Sequence, residues 1–403
     1  MKRTLIAASL LAACSLVHAA NAKLSGDVLK LGLMTDLSGV YLDYAGKGSV
    51  EAAKMAVEDF GGKVLGKPIE LVTADHQNKA DIGSAKAREW LDRDGVDAIV
   101  DLPNSSVALA VARIASEKRR IALITGGANL RHSNEECSPY IAHWVYDTYA
   151  LANVAGKAMV KEGYKSWYFV TADYAFGASL EQTTGEVVKA AGGSVLGSAK
   201  HPLNGSDFSS FILQAQASKA QVVALANAGG DVINAVKAAA EFGLTQSQKQ
   251  ELVGLLMTIN DIHSLGLNNT QGMKLTDAWY WGLNAESRAW GTKFYARMKR
   301  MPNMVHAGTY SAVLNYLKAV QAAGSDDADA VMVQLKKMKI NDMFAKNAYL
   351  RADGRLMHDM YLMEVKAPAE SKSPWDYLKL RATVPAEEAF QPLSASRCAL
   401  IKQ

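Results

Sequence analysis

Three short stretches of small polar residues stand where this chain could hold an anion: Ser38 to Tyr44, Asn104-Ser105-Ser106 and Thr125-Gly126-Gly127-Ala128-Asn129. Each follows a short apolar run that reads as a strand. In an open parallel sheet, ligands settle beyond the carboxyl ends of the strands, where helix N-termini offer free backbone N–H groups. Asn104 or Ser105 is placed to cap a helix beginning near Val107, and Gly126 and Gly127 would let a ligand approach the main chain. Ordinary capping and turn-making would explain any one stretch; three in one half of the chain point to a cleft. Bond-making chemistry is not indicated. The chain has no G-x-S-x-G elbow, no G-x-x-x-x-G-K-[ST] phosphate loop, no H-E-x-x-H, no paired C-x-x-C and no G-x-G-x-x-G. The eight histidines, His76, His143, His263 and His306 among them, are scattered rather than spaced as metal ligands. His306 precedes a helical run and could face a cleft.

The elements that must position these stretches alternate. Leu29 to Met34 reads as a buried strand, and Gly48 to Phe60 carries Ala52, Ala53, Ala56, Val57 and Phe60 at helical spacing. Strand then helix recurs at Ile69 to Thr73 and Ile82 to Leu91, then at Ala98 to Val100 and Val107 to Glu117, with Ile121 to Ile124 closing the series. The pattern restarts at Trp167 to Thr171, Phe176 to Ala191, Val195 to Leu196, Phe208 to Ala217, Val222 to Leu225 and Val232 to Phe242. This is βαβ order twice over, which predicts an α/β fold of two doubly wound parallel-sheet units. Gly192-Gly193 and Gly243 fall just past helical runs, where glycine accepts the left-handed cap. Near the C-terminus, Ala348 to Arg351 and Met360 to Val365 flank Asp353-Gly354 and suggest a hairpin-like pair.

The first 22 residues read as an export signal: Lys2 and Arg3, an apolar run from Leu5 to Val17, and Ala20-Asn21-Ala22 as a small-residue cleavage site. Leu11-Ala12-Ala13-Cys14 carries the alternative pattern that would put a lipid on Cys14. Either way the body of the protein is expected in or facing the periplasm. The 44 basic and 40 acidic residues become 42 and 40 without Lys2 and Arg3, a net of +2. That is too balanced to announce a nucleic-acid or anionic-membrane partner. Cys137 and Cys398 remain after processing, and an even count in an oxidising compartment favours one disulfide over two separate thiols. The mature chain of roughly 380 residues exceeds what one hydrophobic core serves, so two domains are expected.

The run Leu31-Gly32-Leu33-Met34-Thr35-Asp36-Leu37-Ser38-Gly39, followed by Ala52-Ala53-Lys54-Met55-Ala56-Val57-Glu58-Asp59-Phe60-Gly61-Gly62, resembles the opening of type I periplasmic solute-binding proteins of ABC importers, the leucine/isoleucine/valine-binding class. Asn104-Ser105-Ser106, Thr171-Ala172-Asp173-Tyr174-Ala175-Phe176-Gly177, Asp207-Phe208-Ser209-Ser210 and Ala240-Glu241-Phe242-Gly243-Leu244 continue the match in order. The resemblance implies two α/β lobes joined by three crossings, near Tyr146, Ala278 and Gly354, with a ligand cleft between them. Residues 1–22 would be the signal peptide, 27–146 plus 279–354 one lobe, and 147–278 plus 355–403 the other. It also implies hinge closure on a small molecule, delivery to an inner-membrane ABC permease, a monomer, no cofactor and no catalysis.

Carried over residue by residue, the resemblance places Tyr44 against the ligand body and Asn104 and Ser105 at its carboxylate. Gly127, Ala128 and Asn129 fall on the loop that meets the ammonium and carboxylate. Phe176, with Tyr174 just before it, stands where a tyrosine is common; Asn227-Ala228 stands where another aromatic is usual. Leu256 or Met257 stands where an acid commonly meets the ammonium, unless Asp261 takes that place. An ammonium without a counter-charge would be poorly compensated, whereas an apolar wall suits an aromatic or aliphatic body with one carboxylate. The expected ligand is thus a small organic acid, an aromatic carboxylate ahead of an amino acid or amide. Trp144, Tyr146, Tyr280 and Trp281 lie near the crossings and could line the cleft, with core or hinge packing expected for most. A ligand-sensing module of a receptor would carry a membrane helix and a signalling domain, an exported α/β enzyme a nucleophile elbow, and a related repressor an N-terminal helix-turn-helix; none is read here.

Overall fold

The computed structural model describes residues 24–244 and 250–401, so the leader read at 1–22 and Cys14 lie outside the described residues. In the first unit, β1 (Leu29–Thr35), β2 (Lys63–Val64), β3 (Lys67–Asp75), β4 (Ala98–Asp101), β5 (Ile121–Ile124) and β6 (Ile141–His143) form one sheet in the order β2-β3-β1-β4-β5-β6. Every neighbouring pair is parallel except β2 with β3. Helices Gly46–Phe60, Ala80–Asp92 and Ser105–Glu117 make the crossovers. The last of these buries Val107, Ala108, Val111, Ala112, Ile114 and Ala115 on one face, a helical period that fits the sheet below it. Because β1 sits between β3 and β4, the chain reverses its direction of winding there. The loops after β1 and β4 therefore diverge and leave a crevice at the strand ends.

The second unit repeats the scheme with β7 (Ser166–Ala172), β8 (Ser194–His201), β9 (Val222–Ala226) and β10 (Glu251–Gly254), all parallel, in the order β10-β9-β7-β8. Helices Ala175–Ala190, Ser209–Ala217 and Gly230–Glu241 connect them. The C-terminal part adds β11 (Lys274–Asp277), β12 (Tyr349–Leu350), β13 (Leu356–Met357), β14 (Met360–Val365) and β15 (Leu378–Val384). Asp353-Gly354 does close a hairpin, but between β12 and β13. Met360–Val365 instead pairs antiparallel with β11 and β15 in a separate sheet, which the turn signal alone could not distinguish. Gly192 (φ 86°) and Gly243 (φ 68°) take the left-handed conformation expected after their helices. Cys137 and Cys398 form a disulfide with 5.6 Å between Cα atoms, tying the tail to the middle of the chain. Among the described residues no helix is long and apolar enough to cross a membrane.

Between β11 and β12 the chain returns to the first unit through helices Ala285–Met298, Met304–Ala323 and Ala328–Lys337. Met304–Ala323 packs along Gly46–Phe60, and Tyr310 donates a hydrogen bond to Asp59 at 2.8 Å. His306 does not face a cleft: it completes the cap of this helix. The Asn303 N–H donates to its Nδ1 (3.2 Å), Nε2 donates to the Ala45 carbonyl (3.2 Å), and the ring stacks on Phe294.

Burial holds the His306 imidazole down, from 6.5 to about 3. The unfolded chain takes up that proton near pH 6.5 and the folded one does not until about 3, so the stability His306 contributes is full above pH 6.5 and is lost as pH falls toward 3. His306→Gln should cost about 1–2 kcal/mol at pH 7.5, the worth of a lost buried hydrogen bond, and should flatten the fall in melting temperature between pH 7.5 and pH 5. An acid slope equal to wild type in calorimetric melts would remove His306 from the titrating groups.

Candidate functional site

The crevice is built from loops at the carboxyl ends of the strands. After β1, the Asp36 carboxylate accepts from the N–H of Gly39 (2.7 Å), the N–H of Tyr41 (2.8 Å) and Asn78 Nδ2 (2.6 Å), which fixes a turn that carries Tyr41 and Tyr44. After β4, Asp101 and Leu102 hold φ of 85° and 60°, a left-handed pair unusual for side chains of this size. That bend delivers Asn104 to the start of helix Ser105–Glu117. Its Oδ1 accepts from the N–H of Ser106 (3.0 Å) and of Val107 (3.1 Å), leaving Nδ2 buried without a partner among the described residues. The Ser105 hydroxyl, in a residue only 1% exposed, makes no hydrogen bond among the described residues.

The loop after β5 shows the most consistent arrangement. Three successive carbonyls are held: Gly126 O by the hydroxyls of Tyr44 (3.1 Å) and Tyr146 (2.7 Å), Gly127 O by His143 Nε2 (2.8 Å), and Ala128 O by the Thr148 N–H (2.8 Å). The N–H groups of Gly127, Ala128 and Asn129 have no acceptor among the described residues. Free N–H groups beside a helix start form an anion-binding concavity. Packing alone requires glycine at both positions. A Cβ on Gly127 would lie 2.8 Å from Leu102 O and 3.1 Å from the Ala108 Cβ, and one on Gly126 would lie 2.8 Å from the Pro103 Cα. The loop is thereby pressed against the start of helix Ser105–Glu117. Beneath it Asp101 Oδ1 accepts from Thr125 Oγ1 at 3.1 Å, and burial pushes that carboxyl up to about 6.

The second unit meets these loops directly. Tyr41 and Tyr174 share a hydroxyl–hydroxyl hydrogen bond. The Gly230 N–H donates to Val40 O (2.9 Å), Asn129 Nδ2 to Ala175 O (2.8 Å), and Asn303 Nδ2 to Asn260 Oδ1 (2.8 Å). Tyr44, Ala128, Tyr146, Phe176, Ala228 and Leu256 join one apolar cluster drawn from both units, with Tyr174 packed against it and its ring 6.0 Å from that of Phe176. Met257 turns the other way, into the second unit's own core toward Gly254. Asn129's side chain is spent on the protein, its Oδ1 accepting from the Arg131 N–H (3.1 Å), so only its N–H is open to a ligand. Asn227 Nδ2 is paired with His201 Nε2 (3.0 Å), while its Oδ1 is buried with no partner among the described residues. Trp144 donates to Ser311, and Tyr280 and Trp281 both donate to Trp375 O, which makes these three framework residues; Tyr146 alone of that group reaches the loop.

Three acids are buried near the site. Asp261 Oδ2 caps its own helix, accepting from the Thr258 N–H (2.7 Å) and Thr258 Oγ1 (2.9 Å), and burial raises it to about 7. Asp231 accepts from the N–H groups of Asn204 (3.1 Å) and Gly205 (3.0 Å), and Asp101 supports Thr125. Sequence patterning does not single out Tyr41 or Asp231. For Tyr41 the available signal is its spacing three residues before Tyr44 in one loop; Asp231 resembles any acid in a first helical turn. No group of three or more His, Cys, Asp or Glu among the described residues could hold a metal ion.

The profile of the family described as periplasmic binding protein matches residues 28–372. Among solved structures, a periplasmic binding protein from Burkholderia mallei is 58% identical, with 93% of this chain and 100% of that one covered and a TM-score of 0.91. A branched chain amino acid ABC transporter periplasmic ligand-binding protein from Burkholderia xenovorans LB400 is 42% identical, with 92% and 99% covered and a TM-score of 0.82. A solute binding protein of an ABC transporter from Rhodopseudomonas palustris BisB5, in complex with 3,4-dihydroxy benzoic acid, shares the fold at 22% identity, with 90% and 98% covered and a TM-score of 0.81.

Gly229 (φ 59°) lies where a Cβ would come within 2.3 Å of Val40 O on the facing unit. Gly229→Ala should therefore hold the two units apart while each stays folded, visible in small-angle scattering as a larger radius of gyration than wild type under the same conditions. Identical scattering curves would show that this backbone contact does not limit closure.

Proposed function

The chain belongs to the periplasmic binding protein family, and on that premise we propose that it captures a small organic acid between its two units and hands it to an inner-membrane ABC permease. The lobes would be 27–146 plus 279–354 and 147–278 plus 355–403, hinged near Tyr146, Ala278 and Gly354. The return of helices Ala285–Met298 and Met304–Ala323 to the first sheet, and the placing of β14 and β15 beside β11, support that division. The protein works in the periplasm once the leader is removed.

One observation carries the reading: the loop after β5 and the start of helix Ser105–Glu117 hold donors with no acceptor among the described residues, beside an apolar cluster drawn from both units. Asn104 Nδ2, Ser105 Oγ and the N–H groups of Gly127, Ala128 and Asn129 would receive the carboxylate. Tyr44, Tyr174, Phe176, Ala228 and Leu256 would enclose the body. A buried donor left unpaired costs about 1–3 kcal/mol, so satisfying several of them is a strong drive for ligand entry and closure. The buried acids Asp231 and Asp261 are engaged by backbone N–H groups, which favours an aromatic or aliphatic acid over a ligand that brings its own ammonium. The rival reading, an amino acid, draws on the 42% identical relative and on the unpaired Asn227 Oδ1, which an ammonium could meet.

A thermal-shift screen of the refolded protein against benzoates, phenylpropenoates, short aliphatic acids, amides and amino acids separates the two. A ligand at a hundredfold its Kd should add about 2.7 kcal/mol to the folded state. Asn104→Asp keeps the helix cap but sets a carboxylate where Nδ2 stands. It should weaken carboxylate binding by about 100-fold or more while the free protein melts within a few degrees of wild type. Shifts by amino acids alone would favour the rival, and silence across the whole panel would sink the small-acid reading.

A further inference from the structure

His143 ends β6, is 1% exposed, and is the sole partner of the Gly127 carbonyl among the described residues. A carbonyl only accepts, so Nε2 carries the ring proton and Nδ1 is bare; that bare nitrogen is buried with no partner. The ring is used for one hydrogen bond, to the loop proposed above to meet the ligand. Its backbone is fixed independently: the His143 N–H donates to Gly354 O at 2.8 Å, and the ring sits edge-on to His132 with centroids 5.2 Å apart.

In a trans peptide the C=O and N–H of one unit point in opposite directions. Fixing Gly127 O on the imidazole therefore turns the Ala128 N–H away from β6. Packing places the loop, and among the described residues the imidazole is what holds the oxygen of this peptide. We propose that His143 is a positioning residue for ligand capture, acting through the Gly127–Ala128 peptide to aim the Ala128 N–H at the ligand carboxylate. This rests on the loop's proposed role in binding. Desolvation, with the Arg355 guanidinium nearby, holds the imidazole well below the usual histidine range, so the ring stays neutral, and the carbonyl acceptor keeps its one proton on Nε2.

The test compares wild type, His143→Gln and His143→Phe by titration calorimetry, with benzoate and L-leucine as probes, alongside a crystal structure of each ligand-free variant. Glutamine places an N–H close to where Nε2 stands, so His143→Gln should bind the wild-type probe within about threefold and keep the peptide plane. His143→Phe fills the same space without a donor. It should weaken binding by about 10- to 100-fold, with the Gly127–Ala128 peptide rotated, as expected for a misaimed contact. Equal affinity in the phenylalanine variant, or equal losses in both variants tracking only a lower melting temperature, would overturn the positioning role and leave the small-acid reading intact. A wild type that binds neither benzoate, L-leucine nor any member of the wider panel would overturn both.

Discussion

The carbonyl oxygen of Gly126 accepts from two phenols at once, and the arrangement of the cleft depends on that shared acceptor. Tyr44 arrives from the loop after β1, Tyr146 from the segment leaving β6, and Gly126 from the loop after β5. Three segments distant in sequence are thereby locked at one point. A carbonyl has two lone pairs, so both bonds can be met without either hydroxyl being left dry. With Gly126 O, Gly127 O and Ala128 O all satisfied from the protein side, the loop's remaining hydrogen-bonding capacity is its N–H edge. Polarity of this kind comes from backbone direction, not from charged side chains. It needs no excess of basic residues in a chain whose charge is nearly balanced.

Much of the scaffold was legible in the sequence because a buried parallel strand is a short apolar run and its crossover helix repeats every three to four residues. Leu29–Thr35, Ile121–Ile124 and Ser105–Glu117 all follow from that rule. The glycine stops at Gly192 and Gly243 were legible for a local reason, since only their own backbone conformation is at issue. What pairs with what was less legible. Met360–Val365 has the pattern of a hairpin arm because a turn precedes it, yet its partners β11 and β15 lie elsewhere in sequence, and nothing local encodes that choice. In the candidate site, Asn104 could be named because a capping asparagine has a sequence signature. That its Nδ2 would be left unpaired depends on tertiary packing. Gly126 and Gly127 carry a second constraint that depends on tertiary packing: the space a side chain would take is filled by Pro103, Leu102 and Ala108. His306 and Asp261 were ambiguous because a buried capping residue and a cleft residue share one composition.

Ionisable groups are buried just after β6, at the end of β11 and at the turn between β12 and β13. Asp147 and Arg355 are 1% and 0% exposed, their nearest oxygen and nitrogen 3.8 Å apart, and the Arg355 guanidinium lies 4.5 Å from the centre of the Phe390 ring. Asp277 accepts from the Trp279 N–H at 3.2 Å and is pushed up to about 7 by burial. Such groups are costly to bury and add little net stability, but they penalise alternative packings in which they lose their partners.

The return of helix Met304–Ala323 to lie along Gly46–Phe60 has a consequence for how the chain acquires its structure. The first sheet is complete by His143, yet one of its covering layers is supplied by residues more than 150 positions later. A chain emerging from its N-terminus leaves the side of Gly46–Phe60 that meets Met304–Ala323 uncovered until the residues through Ala323 are present. Contacts of such long sequence separation form slowly, because loop-closure entropy is spent before they yield any stabilisation. The chain order thus delays maturation of the first unit.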